Sequence, residues 1–195
     1  MKKIVLFLSL LLIVGCQSTS GSSSFSPAVS NVQITKLAVL SPENTYVEDI
    51  LVEELNKENL PAISGRGITA FATDIESLKK LLKQGGISHL LLINSQVGKQ
   101  DMHYAGTVNN LQTNISSFGF NSISATTSGL STPIYSSTNS AAAKAKLFSV
   151  EGNLLWVSDL MLEAQGTLYT GKKAMASGIA DGFVDEMKKS KIISL

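Results

Sequence analysis

One cysteine, Cys16, in 195 residues excludes an internal disulfide and a cysteine-rich metal site. Charge is sparse as well: Asp, Glu, Lys and Arg make up 16% of the chain, against about 25% in an average soluble domain. Lys plus Arg is 16 and Asp plus Glu is 15, a formal net charge of +1. Lys2 and Lys3 lie in a segment expected to be cleaved off, which leaves 14 against 15, or −1. A near-neutral chain without a basic run has no electrostatic footprint for nucleic acid. Gly-x-Ser-x-Gly elbows, phosphate-binding P-loops and His-Glu-x-x-His pairs are also missing. What remains is a chain that is 44% hydrophobic, enough to build a packed core in one ordinary domain or two small ones.

The amino-terminal residues have a tripartite form. Met1, Lys2 and Lys3 are a positive start, and Ile4 to Val14 is an 11-residue apolar run interrupted only by Ser9. A membrane-crossing helix needs about 20 apolar residues, so the run has signal-peptide length instead. Ile13-Val14-Gly15-Cys16 resembles the bacterial lipobox. That resemblance implies cleavage between Gly15 and Cys16, a thioether from Cys16 to diacylglycerol, and an N-acyl chain on the freed amine. Two or three chains give stable attachment where one is marginal, because each buried methylene contributes about 0.8 kcal/mol. The alternative is an ordinary secretory peptide with an incidental cysteine. Gln17 and Ser18 follow Cys16 with no aspartate, which by the same resemblance implies the periplasmic face of the outer membrane, in an organism that has one.

Gln17 to Ser30 holds eight serines or threonines and no charge. Such a stretch reads as a flexible tether over residues 16–33, with a reach of roughly 20 Å. A single αβ domain is then expected over 34–195. Ile34 to Leu40 is a short strand. Thr45-x-x-Glu48 reads as a capping box opening a helix with Val47, Ile50, Leu51 and Leu55 inside and Glu48, Glu53, Glu54 and Lys57 outside. A short strand follows near Pro61 to Ile68. Thr73-x-x-Glu76 opens a second helix, which ends at Gly85-Gly86, and Ile87 to Ile93 reads as a fully buried strand. Ala141 to Val150 and Leu154 to Ala164 flank Glu151-Gly152-Asn153 as a hairpin, with Trp156, Leu160 and Leu162 on one face. Thr170 to Lys189 closes the chain as an amphipathic helix, with Met175, Ile179, Phe183, Val184 and Met187 in its stripe. The fold class is α/β (α+β): a mixed sheet with two βαβ-like units, a carboxy-terminal hairpin and a closing helix packed on the sheet.

Between Asp101 and Lys144 lie 42 residues without a single Asp, Glu, Lys or Arg. Three readings stand: hydroxyl-rich strands with a surface loop, a hairpin that enters a membrane, or a contact surface for protein or glycan. Asn109-Asn110 and Gly119 break the apolar and polar alternation that a membrane strand needs.

Chemistry-bearing residues are few. Asp101 and His103, two apart on a strand, form the one pair suited in principle to a metal or to acid–base work, although two groups do not make a site. His89 reads as a core or edge histidine. Gly65-Arg66-Gly67 lacks the third glycine of a dinucleotide loop, and Lys172-Lys173 reads as a solvated face. Neither a metal nor a cofactor beyond the covalent lipid on Cys16 is expected.

"ITKLAVLSP", "GISHLLLINSQV" and "AKAKLFSVEGNLLWVSDL", with the closing helix up to "KKSKIISL", resemble a group of small periplasmic lipoprotein domains. Their fold is like the amino-terminal domain of the Tol-system propeller protein. The group includes the curli secretion lipoprotein and the lipoprotein activators of penicillin-binding proteins. The resemblance implies a non-enzymatic binding, assembly or accessory role in envelope biogenesis or transport, with an envelope partner or self-association. Alternatives are an oligomeric secretion or pore-forming subunit, and an envelope hydrolase. The charge-free stretch departs from that group.

Overall fold

The computed structural model describes residues 16–27, 32–117 and 123–193, except for the side chains at 108–117, 123–130 and 132. The expected signal peptide lies outside the described residues. The strands are β1 (Gln17–Phe25), β2 (Leu37–Leu40), β3 (Ala62–Ser64), β4 (His89–Val97), β5 (Asp101–Ser117), β6 (Ile123–Ser149) and β7 (Leu154–Gln165). The helices are α1 (Thr45–Lys57), α2 (Arg66–Thr69), α3 (Ile75–Gln84) and α4 (Lys172–Lys189). All seven strands form one mixed sheet in the order β1-β7-β6-β4-β2-β3, with β5 pairing β6 off that path.

The two βαβ-like units expected from sequence are present. Strand β2 runs parallel to both β3 and β4, one on each side. The crossovers step in opposite directions across the sheet, so their helices cover opposite faces. Helix α1 joins α4 over Leu37, Val39, Leu91 and Ile93, while α3 covers Ala38 and Leu90 from the other side. The expected hairpin is β6–β7, and Trp156, Leu160 and Leu162 are buried beneath α4. The mid-helix Gly178 lets Gln17 of β1 approach closely, since a Cβ there would lie 2.8 Å from Gln17 Oε1 and the glutamine side chain would have to move.

Four local expectations are corrected. Both helix starts shift by one residue: Asn44 caps α1 by accepting from the Val47 N–H, and Asp74 forms its capping box with Ser77. Asn and Asp offer a short acceptor in the extended backbone that precedes a helix, and here they outcompete the neighbouring threonines. Glu48 is fully buried rather than wet. Its carboxylate accepts from the Ser41 N–H at 2.9 Å, the Arg66 Nε at 2.9 Å and the Ser64 hydroxyl, which ties α1 to β2, β3 and α2. Strand β4 is fully buried on one face only, because α3 reaches Leu90 while Leu92 is half-buried and Asn94 and Gln96 are exposed.

The fourth correction concerns the tether. Gln17–Phe25 is not flexible; it adds antiparallel to β7, from Gln17 opposite Ala164 to Phe25 opposite Trp156. Low hydrophobicity argues against a segment folding alone, but an edge strand added to an existing sheet is held by main-chain hydrogen bonds. Small side chains also let α4 settle close. Ser23 Oγ donates to Glu186 Oε2 at 2.9 Å, and Gln17 Nε2 donates to the carbonyls of Tyr169 and Ala174 at 3.2 and 3.0 Å.

Candidate functional site

The uncharged stretch forms an arm. Strands β5 and β6 pair antiparallel through sixteen residue pairs, from Asp101 opposite Thr138 to Ser117 opposite Ile123. Strand β6 is continuous, and its later part, from Ala141 onward, lies between β4 and β7. From Ser137 back towards Ile123 the only described strand paired with it is β5, so the ribbon leaves the sheet as two strands. At about 3.4 Å per residue, sixteen pairs span roughly 50 Å. A bulge between Tyr104 and Gly106 sets the ribbon's course, and Gly106 accepts it with φ of 149°.

The root of the arm is clamped. The buried hydroxyl of Thr170, in the turn before α4, lies 2.6 Å from Ser137 Oγ of β6 and accepts from Gln100 Nε2 at 2.9 Å. It donates to the Gly166 carbonyl at 3.2 Å, so one hydroxyl serves three partners within its donor and acceptor capacity. Asn139 Nδ2 adds a bond to the Thr170 carbonyl at 2.9 Å. Gln17 grips the same turn, as described above.

These contacts bring Cys16 and the arm root to one end of the sheet. The Gln165 N–H donates to the Cys16 carbonyl at 2.9 Å, Gln165 pairs with Thr138, and Thr138 pairs with Asp101. Cys16, Gln165, Thr138 and Asp101 therefore form one row across four strands, roughly 15 Å from end to end at about 4.8 Å per strand. Cys16 is exposed there, beside a groove of about 370 Å³ lined in part by Lys99, Asp101 and Glu163. Strand β1 runs from this row back along the sheet, and the arm runs from it the other way.

Around the arm root apolar side chains face water. Met102 is 65% exposed, Tyr104 60%, Tyr135 52% and Ile134 45%. Tyr104 and Tyr135 are paired across the ribbon, with ring centroids 6.2 Å apart and planes at 77°. Asp101 and His103 sit on this segment as the sequence placed them, both exposed and paired through the backbone with Thr138 and Ser136. No group of three or more His, Cys, Asp or Glu able to hold a metal ion occurs among the described residues. His89 is buried in β4 with Nδ1 2.8 Å from Ser88 Oγ, and burial lowers its pKa below the usual 6.5 despite the nearby Glu151 carboxylate. No described helix is long and apolar enough to cross a membrane.

The clamp was not legible in sequence. Thr170, Ser137 and Gln100 are ordinary polar residues far apart in the chain, and they meet only because β6 pairs with β7 on one side and with β4 and β5 on the other.

No family model matches the chain, and no curated protein matches it. Solved structures similar to it include the PelC dodecamer from Paraburkholderia phytofirmans, at 12% identity and a TM-score of 0.47, covering 85% of this chain and 95% of that one. The lipoprotein GNA1162 from Neisseria meningitidis is similar at 15% identity and a TM-score of 0.36, over 82% of this chain and 99% of that one. Identity and overlap at this level carry no activity or assembly across from those proteins.

Proposed function

We propose that this protein is a bacterial envelope lipoprotein, fixed through diacylglycerol and an N-acyl chain on Cys16 to the periplasmic face of the outer membrane. It works without catalysis, as an assembly or accessory factor in envelope biogenesis or transport. The arm is the observation that supports this most. A two-stranded ribbon is at best marginally stable in water on its own, and soluble proteins guard exposed strand edges with charge. This ribbon has none beyond Asp101, and it shows apolar side chains at its root. It is suited to being covered by another molecule, not to remaining in water.

Photo-crosslinking in intact cells from positions along β5 tests the assembly role. Adducts with an envelope protein or with a second copy are expected. Their absence from every arm position, in protein whose Cys16 is fully acylated, defeats it. Changing Cys16 to serine is expected to move the protein from the membrane fraction to the soluble one. Alanine at Asp101 and His103 is expected to leave function intact, and a lost phenotype there favours the hydrolase reading. The pore-forming reading is favoured by one observation, the shared row of anchor and arm root.

A further inference from the structure

The parallel strands β2 and β4 end beside a cavity of about 620 Å³, which lies between the start of α1 and the turn before α4. Ser95 and Val97 of β4 and Asn139 of β6 line it from the sheet. Its lining does not include Cys16, so it stands apart from the lipidation proposed above.

Two helices begin at this cavity. Asn44 caps α1 at the Val47 N–H, which leaves the N–H groups of Thr45 and Tyr46, both in the lining, without intrahelical partners. Helix α4 opens after Gly171 with no side-chain cap, so its first N–H groups, from Lys172 onward, are in the same position. Each helix end also carries a partial positive charge from its aligned peptide dipoles. Lys99 and Lys172 line the cavity too, and neither ammonium is in an ion pair among the described residues. Lys188 and Lys189, at the other end of α4, are by contrast matched with Glu58 and Glu186. Glu43 is the one carboxylate in the lining, so two ammoniums and two helix ends face a single negative charge.

Helix ends and lysines occur on many surfaces, and Ser95 sets this one apart. Its side chain points to the same face of the sheet as Leu91 and Ile93, the face that α1 and α4 cover. It is 7% exposed, and its hydroxyl is enclosed with no hydrogen-bond partner. A buried hydroxyl left unpaired is destabilising, and native structures seldom keep one without a use for it. The neighbouring Thr170 and Asn139 already bond to each other, to Ser137 and to Gln100, so Ser95 is the enclosed hydroxyl left to answer an incoming acceptor.

From this convergence we infer that the cavity binds a phosphate ester, its phosphate oxygens held by the amino ends of α1 and α4, by Lys99 and Lys172, and by Ser95 at the floor. Donors arriving from several directions suit a tetrahedral oxyanion better than a planar carboxylate, and helix amino ends are established phosphate cradles. The volume exceeds that of a bare ion and falls in the range of small-molecule sites, so there is room for the rest of the ester. Glu43 disfavours a second anionic group and can accept from hydroxyls on that remainder. A soluble phosphate ester and a phospholipid head group present the same chemistry here.

The test uses the full chain in dodecyl maltoside, a phosphate-free detergent, with inorganic phosphate and glycerol 3-phosphate as calorimetric probes. Saturable binding in or below the millimolar range is expected, and its absence overturns the inference. Lys99→Ala and Lys172→Ala should each weaken binding roughly tenfold, while Lys83→Ala, on α3 across the sheet, leaves it unchanged. Equal losses from all three overturn the inference, because the anion then answers only to overall charge. Ser95→Ala should bind phosphate several-fold more weakly yet melt no lower in phosphate-free buffer, a combination that a merely structural role does not give. Unchanged affinity in that variant counts against the site and overturns it. Glu43→Gln should tighten inorganic phosphate about threefold, and weakening there overturns the inference as well. Protein placed in vesicles of uncharged galactolipid separates the two sources. Bound glycerol 3-phosphate displaced by added phosphatidylglycerol, but not by an equal charge of oleate, makes the ligand a head group. Retention against both makes it a soluble ester, and displacement by both alike overturns the inference.

Discussion

Two halves of strand β6 live under different rules. From Ala141 to Leu147 it is flanked on both sides, by β4 and β7, and Ala141, Ala143, Ala145 and Leu147 are buried beneath the helices while Ala142 and Lys144 face water. From Ile123 to Ser136 the only described strand paired with it is β5, and this part carries no charge and shows Ile134 and Tyr135 to solvent. The inner half is specified by burial, since a slip of one residue would turn its alanines outward and its lysines inward. The outer half buries little within the chain. Its composition answers to whatever lies outside the chain, and that is why its residues look aimless in sequence and ordered in register.

If that contrast holds, a core truncation and an arm truncation of similar size must separate widely. Trp156, fully buried and donating from Nε1 to Ser190 Oγ at 3.0 Å, should cost about 3–5 kcal/mol on change to alanine. Tyr135→Ala should stay within about 0.5 kcal/mol, as an exposed substitution does. Thermal unfolding of the two variants reads the difference, and similar melting points would erase the distinction. Glu48→Ala comes next, at about 1–3 kcal/mol, because it strips a buried N–H and a hydroxyl of their acceptor. That loss belongs wholly to the inner body, so arm crosslinking should be unchanged.

The clamp is where the two regimes meet. Thr170→Val keeps the shape and removes the hydroxyl, leaving Ser137 Oγ buried without this partner, for about 1 kcal/mol. Faster amide exchange at residues 137–139 with little change around Trp156 is the expected signature, and an unaltered exchange pattern would show the arm root to be held by other means. The smallest effect is on β1. Burial raises the pKa of Glu186, but hydrogen bonds from Lys189 and Ser23 with the Lys189 charge outweigh it and hold the carboxyl below its usual 4.5. A depressed carboxyl favours the fold above the unfolded value and loses that contribution as pH falls through the folded one. Stability should therefore decline below about pH 4.5 through this group, and Glu186→Gln should flatten that part of the profile. An unchanged acid limb would place the sensitivity elsewhere.

Much of the body was legible in advance because its residues answer to local periodicity. The stripe of Met175, Ile179, Phe183 and Met187 is buried as expected, and the turn at Glu151-Gly152-Asn153 joins β6 to β7, with Gly152 at φ of 94°. Misreadings came where a side chain had competing uses. Glu48 has helical spacing on the wet side of α1, yet Arg66 and Ser64 arrive from elsewhere in the chain to bury it. The serine-rich stretch after Cys16 has the composition of a tether, yet the open edge of β7 captures it as β1.

By itself, then, the sequence determined the periodic elements, the α/β class and the absence of charge from 102 to 143, because spacing and composition act over short range. The tertiary structure alone decided that the uncharged stretch is a two-stranded arm and that its root stands in the same row as Cys16. Strand pairing joins residues more than a hundred positions apart, and no local pattern records which edge will be left open to receive them.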